Sequence, residues 1–408
     1  MHSRVKVGVV LFSTLLVILM LIGGLLGKST ASDGPYRQLA VYSEVLSRIR
    51  SDYVEEPDLK SVTVGALHGL LESLDPFSSY LSPEQYARYQ KRKTQGNADL
   101  GLVLSKRFGY VAIISAIPGG PAARGGLQGG DIIEAIDGDS TREMSLEEVK
   151  TVLAGKPGSS VTLSVVRVRR GEPQKMVLKR EVVAAPPVTR KMVEAGIGYL
   201  NIDGFPQGRA REIAAHAQQL LNAGAERLVL DARGAAEGEI SEGIAAANLF
   251  IDHGLITYLQ GQKYPRQNFP ADPALATVRV PVVVLVNRAT AGAGEIFASA
   301  ILENGRGDVV GEKTYGVGSV QKLIPLDDGS ALLLSVAKYY TPGGKAIQDT
   351  GVTPNVAVTD TEPEEVAALP EEPQPEPPPA QPQAPREDSI LKKGIEVLKN
   401  AALKRAAA

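Results

Sequence analysis

The sequence predicts a multidomain α/β protein in which helices precede a small β-rich domain and a layered α/β core. Three observations predict this class. A length of 408 residues suffices for about two to four domains. The apolar periodicity changes along the chain from helical to strand-like, and strands then alternate with helices. A hydrophobic share of 43 % and a charged share of 22 % are ordinary for globular proteins, so each domain can bury a core.

The composition excludes several kinds of site. No cysteine is present, so disulfides, thiolate metal sites and cysteine nucleophiles are excluded. The four histidines, at 2, 68, 216 and 253, are too far apart in the sequence to form a metal motif. No nucleotide or other cofactor motif is visible, and we expect no cofactor and no metal. The formal net charge of −2 argues against a nucleic-acid partner, whose footprint would be a basic excess.

A membrane signal or anchor is predicted at residues 1–31. Arg4 and Lys6 precede an apolar run from Val7 to Leu26, which as a helix would span roughly 30 Å, the thickness of the hydrocarbon layer. A cleavable signal usually has a shorter apolar core of about 7–15 residues, although Ser29-Thr30-Ala31 is a tolerable cleavage site. We therefore expect an uncleaved single-pass anchor in the inner membrane, with the bulk of the chain in the periplasm or outside the cytoplasm.

Residues 35–95 are expected to form an N-terminal helical region, because apolar residues recur there with helical spacing. Asp75-Pro76 would end the second helix. Ser82-Pro83-Glu84 would begin a third, with Ser82 as its N-cap and Pro83 at the first helical position.

Residues 98–183 predict a small β-sandwich or barrel with one helix. Glycine-rich turns separate β-rich runs at Leu100–Leu104, Tyr110–Ile114, Asp131–Ile136, Val161–Val168 and Lys175–Leu178. The helix is expected between Ser145 and Leu153.

Residues 188–358 alternate strand and helix, the pattern of a layered α/β domain. The predicted strands are Ile197–Ile202, Arg227–Leu230, Val280–Val286, Val309–Val310 and Ala331–Ala337. The predicted helices are Arg209–Ala223, Glu242–Phe250 and Gly294–Glu303. Residues 361–386 are rich in proline and glutamate, cannot bury a core and are expected to be a disordered linker. A C-terminal helix is expected within residues 387–408, at Ile390–Leu398.

The β-rich region resembles a PDZ domain, and we therefore expect a PDZ-like β-sandwich. The matching segments are Asp99–Leu104, Ile117–Leu127, Gly130–Ile133 and Ile136–Gly138. PDZ domains add a peptide C-terminus as a strand to a sheet edge, where loop amides hold the carboxylate. The resemblance implies a peptide groove lined by Leu100, Gly101, Leu102, Val103, Leu104, Val149 and Leu153. The alternative is a scaffold whose groove is closed or empty.

The chain after the predicted anchor resembles the C-terminal processing peptidases, also called tail-specific proteases, which use a serine–lysine dyad. The segments that carry this resemblance are Leu74–Leu81, Gly311–Gly316, Gly318–Gln321, Tyr339–Gly344 and Gly351–Asn355. The resemblance implies a serine endopeptidase of the periplasm or cell surface with an α/β peptidase-like core. Such enzymes cut proteins whose C-terminus the PDZ domain has captured.

The catalytic positions depart from that family's pattern. Gly292 stands where the family has its nucleophilic serine and Val317 where it has its lysine, whereas Gln321 matches the glutamine that supports the dyad. In the loop that corresponds to the oxyanion hole, Glu237 replaces a glycine and Gly238 follows it. Glycine and valine supply neither a nucleophile nor a base, and a carboxylate is unfavourable beside an oxyanion. The sequence therefore predicts a homologue without an intact dyad and without peptidase activity.

Three functions stay open at this point. The first is a protein that binds polypeptide C-termini or unfolded polypeptide, or that regulates an active protease relative. The second is an active serine-type endopeptidase with a displaced nucleophile, for which Thr290, Ser299, Ser319 and Lys313 are the available groups. The third is a structural scaffold of the cell envelope. A homodimer is expected because family members of this shape often pair through their terminal helices.

Overall fold

The computed structural model describes residues 14, 18, 35–94, 98–107, 109–167, 170–359 and 388–406. Its helices are α1 (Pro35–Asp52), α2 (Leu59–Glu72), α3 (Pro83–Thr94), α4 (Pro121–Arg124), α5 (Leu146–Leu153), α6 (Arg209–Asn222), α7 (Ile240–Asn248), α8 (Ala293–Glu303) and α9 (Ser389–Ala406). Its strands are β1 (Ser79–Leu81), β2 (Leu102–Arg107), β3 (Tyr110–Ala116), β4 (Ile132–Ile136), β5 (Asp139–Ser140), β6 (Ser160–Arg167), β7 (Arg170–Lys179), β8 (Thr189–Glu194), β9 (Ile197–Asn201), β10 (Arg227–Asp231), β11 (Leu255–Gln260), β12 (Gln267–Pro270), β13 (Val282–Val286), β14 (Gly307–Gly311), β15 (Ser319–Pro325), β16 (Ala331–Tyr340) and β17 (Val356–Ala357). The chain divides into two compact units, residues 1–66 and 67–408.

The predicted N-terminal helices are present as α1, α2 and α3. The N-cap expected at Ser82 forms, since its Oγ accepts a hydrogen bond from the Gln85 amide at 3.3 Å. The Gln85 side chain accepts one from the Ser82 amide at 2.8 Å, which completes a reciprocal capping box.

The structure corrects the prediction of a single-pass anchor in the inner membrane. Among the residues that the structure describes, no helix is both long enough and apolar enough to cross a bilayer. The helix α1, for example, has 18 residues but carries charged side chains along its length, which lipid does not accommodate. The apolar run at 7–26 lies outside the described residues except for Thr14 and Ile18, and so does the predicted linker at 361–386.

The β-rich domain is one antiparallel sheet with the strand order β2-β3-β4-β6-β7, to which β5 adds beside β4. Its predicted helix is α5, which begins after Ser145, whose Oγ accepts the Glu148 amide at 3.2 Å. The side chains of α5 and the inner face of the sheet form one core. Its fully buried members include Val111, Ile113, Ile133, Ile136, Val149 and Leu163.

The α/β core is built on a six-stranded sheet with the order β17-β14-β13-β10-β9-β8. Neighbouring strands are parallel except for the edge pair β8–β9. The unbroken apolar run Val282–Val286 is typical of a strand buried on both faces, and all five residues are buried. Alternate residues point to opposite faces. Val282, Val284 and Val286 pack with α6, α7 and α8, while Val283 and Leu285 pack with the C-terminal helix α9.

A second, antiparallel sheet has the order β1-β16-β11-β12, with β15 also paired to β16. It joins distant parts of the chain, because Ser79 of β1 lies opposite Leu333 of β16. The strand β15 begins at Ser319, and Gln321, two residues further on, lies opposite Ser335 of β16. The structure thus confirms a mixed α/β fold, while the predicted domain boundaries stay predictions.

Candidate active site

A cleft of about 510 Å³ lies between the β-rich domain and the α/β core. The β-rich side contributes mainly apolar side chains from the start of β2 and the end of α5. The lining residues on this side are Asp99, Leu100, Leu102, Val103, Leu104, Ile114, Lys150, Leu153 and Ala154. The other side is formed by Phe77, Ala236, Glu237, Gly238, Val317, Ser319 and Gln321. The cleft therefore brings together residues that are more than 240 positions apart in the sequence.

Most of the groove residues predicted from the sequence line this cleft, but two do not. Leu100, Leu102, Val103, Leu104 and Leu153 do. Val149 is fully buried in the core of its own domain, since the helical period turns it inward.

The second predicted groove residue that does not line the cleft is Gly101. It lies in a local turn, where its φ is +70°. The Gly101 amide donates to Asp99 Oδ1 at 2.8 Å, so this N–H is already satisfied within the turn.

Glu295 joins the two positions at which the resemblance places the dyad. It is fully buried in the first turn of α8, and its Oε2 accepts the amides of Gly292 at 3.0 Å and Val317 at 2.8 Å. Its Oε1 accepts the Gly316 amide at 2.8 Å and the Thr314 hydroxyl. Burial raises the pKa of the Glu295 carboxyl to about 7, although all four donors favour the charged form. Sequence reasoning did not single out this residue.

The backbone at Gly292 has room for a side chain but an unusual conformation. Its φ is +57°, which L-residues adopt only with strain, yet a Cβ there would meet no atom within 4 Å. Val317 lines the cleft directly.

The loop 234–238 is held in place from several sides. Ser115 of the β-rich domain donates to the Gly234 carbonyl at 3.0 Å, and Asn287 accepts the Gly234 amide at 3.0 Å. At its other end, the Glu237 carbonyl accepts the Phe205 amide at 2.8 Å. Gly238 has a φ of +124°, and a Cβ there would lie 2.2 Å from the carbonyl carbon of Phe205, so only glycine fits.

A partly buried ion network precedes this loop. The guanidinium of Arg233 donates to both oxygens of Asp231 and, through its two terminal nitrogens, to Asp388 at 2.8 and 2.7 Å. Tyr199 donates to Asp231 at 2.8 Å. Burial, with the negative charge of Asp231 beside it, raises the pKa of Tyr199 above its usual range. The sequence offers no signal for the Arg233–Asp388 pair, because its members are 155 positions apart.

The other candidate nucleophiles occupy very different places. Thr290 is fully buried, and its hydroxyl donates to the Ala232 carbonyl at 2.8 Å. Ser299 is fully buried and donates to the Ile296 carbonyl of its own helix. The side chain of Lys313 is exposed.

Among these candidates it is Ser319 that lines the cleft. Its Oγ accepts a hydrogen bond from Gln321 Nε2 at 2.8 Å, and the same amide reaches Ser335 at 3.3 Å. Ser335 donates to Asp75, which also accepts the amide of Phe77 in the cleft wall. Within the described part of the chain, no group of three or more histidine, aspartate or glutamate side chains is arranged to hold a metal ion.

Comparisons with known proteins agree with this architecture. Residues 196–358 match peptidase family S41, and residues 113–167 match the PDZ domain. A carboxy-terminal-processing protease of Bartonella bacilliformis is 32 % identical over 335 residues, which are 81 % of this chain and 77 % of that protein. A carboxyl-terminal-processing protease of Synechocystis is 34 % identical over 318 residues, 76 % of this chain and 74 % of that protein. The solved structure of a photosystem II D1 C-terminal processing protease has a TM-score of 0.66 and 29 % identity, and the match covers 77 % of this chain and 86 % of that one.

These comparisons correct the expectation of a homologue without peptidase activity. The relatives are named as processing proteases, and so is the solved structure with the same fold, which supports a protease. The expectation rested on a few side chains at positions 237, 292 and 317, whereas the similarity extends over about four-fifths of the chain.

Proposed function

Because this chain belongs to the carboxyl-terminal processing proteases of peptidase family S41, we propose that it is a serine-type endopeptidase that processes polypeptides near their C-termini. The polypeptide end would bind in the PDZ groove and continue into the core. One observation carries this proposal: the PDZ residues Leu100 and Leu102–Leu104 and the core residues Val317, Ser319 and Gln321 line one continuous cleft. A bound strand can therefore contact both at once.

In this proposal, Gly292 and Val317 occupy the dyad positions, and Gln321 is the supporting glutamine. Glycine and valine cannot take part in proton transfer, so hydrolysis has to use another group of the same cleft. We assign the nucleophile to Ser319, because its hydroxyl lies in the cleft and accepts a hydrogen bond from Gln321. An amide is not a base, so the hydroxyl proton passes to water of the cleft as the serine oxygen attacks the peptide carbonyl. Thr290 is not suited to this role, since its buried hydroxyl holds the turn at Ala232.

The test is cleavage of an unfolded protein with an apolar C-terminal residue by the purified full-length chain. We expect cleavage by the natural chain, and a rate reduced at least about a hundredfold in Ser319→Ala. An activity that persists through purification and is lost in this single variant belongs to the chain and not to contaminating proteases.

The double variant Gly292→Ser/Val317→Lys serves as the positive control. Glu295 holds the backbone of both positions, and a side chain at 292 has space, so this variant tests whether the cleft admits a chain. An intact substrate with the natural chain, together with cleavage by the double variant, would overturn the proposed activity. Cleavage that persists in Ser319→Ala would overturn the assignment of the nucleophile.

The predicted homodimer, and the pairing with an active protease relative, are further parts of this proposal. Sedimentation of the purified chain, alone and mixed with such a relative, would test them.

A further inference from the structure

The cleft contains a carboxylate whose position is set by the backbone. Glu237 lies in its wall, next to Gly238. The Glu237 carbonyl accepts a hydrogen bond from the Phe205 amide, and the backbone at Gly238 lies so close to Phe205 that a Cβ would clash there. The side chain therefore starts from a fixed point, and its Oε2 lies over Gly204, where a Cβ would approach it to 3.4 Å.

This carboxylate is incompletely satisfied. Its Oε2 is buried and has no hydrogen-bond partner. Burial raises the pKa of the Glu237 carboxyl, Arg209 opposes that rise and Asp99 adds to it. Arg209 itself is buried and pairs with Glu212 at 3.2 Å, but its Nε and Nη1 have no hydrogen-bond partner, and it donates no hydrogen bond to Glu237 Oε2. A buried acceptor without a donor costs free energy, and a donor in the cleft recovers part of it once the carboxylate turns from Gly204 towards the cleft.

The surrounding cleft is short of positive charge. Its charged lining residues are Asp99, Glu237 and Lys150, and the lysine is drawn to Glu147 at 3.5 Å. The remaining lining is mainly apolar, so charges there are screened less than at the open surface. A ligand that brings a positive charge would complement this cleft.

We propose that Glu237 makes the cleft selective for polypeptides that carry an arginine or lysine side chain close to the C-terminal end. The inference rests on the proposed function, since it specifies the substrate class of the same cleft. Glu237 acts here as a specificity-determining residue. Its carboxylate accepts the hydrogen bonds of the basic side chain while the neighbouring apolar residues contact the rest of the peptide.

The test compares peptides that differ only in charge. Fluorescein-labelled decapeptides with an apolar C-terminal residue carry one arginine, moved in turn through the six positions before it, or citrulline in its place. Citrulline has nearly the same shape but no charge. Dissociation constants are measured by fluorescence anisotropy with the full-length chain, and mass spectrometry checks that each peptide is intact.

We expect the arginine peptide to bind about tenfold more tightly than its citrulline twin at one or more positions. Glu237→Gln should bring this ratio to about one, whereas Glu239→Gln, an exposed carboxylate two residues further on, should leave it unchanged. Thermal unfolding of each variant confirms that it is folded.

The failures are distinguishable. Equal affinities of the arginine and citrulline peptides at every position overturn the proposed selectivity but not the proposed binding of peptides in the groove. An unchanged ratio in Glu237→Gln shows that another group selects the charge and also overturns it. If no peptide binds, the proposed function fails and the selectivity fails with it.

Discussion

At the scale of single residues, the carboxylate of Glu295 joins the two loops that contain Gly292 and Val317. Its Oε2 accepts hydrogen bonds from the amides of Gly292 and Val317. Its Oε1 accepts them from the Gly316 amide and the Thr314 hydroxyl. A group that is buried completely and accepts four hydrogen bonds leaves little freedom to the backbone around it. The relative position of the two loops therefore depends on a side chain that does not line the cleft.

The raised pKa of Glu295 predicts a pH-dependent stability. Between its ordinary pKa of 4.5 and its folded value of about 7, the folded chain retains a proton that the unfolded chain has released. The free energy of unfolding therefore falls as the pH rises through that window. Above the window this group no longer changes it with pH. The variant Glu295→Gln removes this dependence.

We expect the melting temperature of the natural chain to fall by roughly 3–6 °C more than that of Glu295→Gln between pH 4.5 and 7.5. Differential scanning calorimetry at the two pH values measures this difference. The exposed-site variant Glu239→Gln should follow the natural chain. Parallel changes in all three proteins would show that Glu295 does not titrate in this range.

At the element scale, the C-terminal helix α9 covers one face of the parallel sheet. Ile390 and Leu398 are buried there. Asp388 caps the helix by accepting the Leu391 amide at 2.9 Å and also receives both terminal nitrogens of Arg233. Because Arg233 directly precedes the loop 234–238, the first turn of α9 is tied to the backbone of the cleft.

Asp388→Asn keeps the cap but removes the charge that pairs with Arg233. We expect a loss of about 1 kcal/mol in the free energy of unfolding, since the pair is bidentate but partly exposed and screened. Urea denaturation measures it. The matched control is Lys399→Gln, which breaks the exposed pair with Glu194 on the same helix and should cost less than about 0.5 kcal/mol. Equal effects of the two variants would refute a special role for the Arg233 pair.

On the scale of the whole molecule, the cleft exists because the β-rich domain and the core are held together. The hydrogen bond from Ser115 to Gly234 crosses between them. Gly129 also lies against Ala289, close enough that a Cβ on Gly129 would approach the Ala289 Cβ to 3.5 Å. The proposed capture and cleavage of a peptide would therefore both use this shared surface.

Leu102→Arg places a long charged side chain in the shared cleft. We expect it to weaken binding of a C-terminal peptide at least about tenfold, because it fills the groove and offers Glu237 an internal partner. Fluorescence anisotropy measures the affinity. Val177→Arg, on an exposed position of β7 in the same domain, should bind normally. Undiminished binding in Leu102→Arg would favour a scaffold whose partners attach elsewhere.

Elements with strong apolar patterns were predictable, and polar or paired ones were not. The run Val282–Val286 and the helix that follows it lie close to their predicted places. The edge strand β8 was missed because its residues are mostly exposed and polar, so they show no alternation. The strand β15 was missed for a related reason, since its residues are only partly buried and it pairs with the distant β16. The strand β11 was missed although its four central residues are buried, so an apolar pattern alone did not guarantee a prediction.

The order of the domains, the family and the identity of the residues at 292 and 317 follow from local sequence, because motifs and periodicity are properties of neighbouring residues. The three-dimensional fold was needed to show that Val149 faces its own core and that Glu295 spans two loops. It was also needed to show that Glu237 and Asp99 share one cleft. These relations depend on which distant surfaces meet and on which buried groups find partners, and no spacing along the chain encodes either.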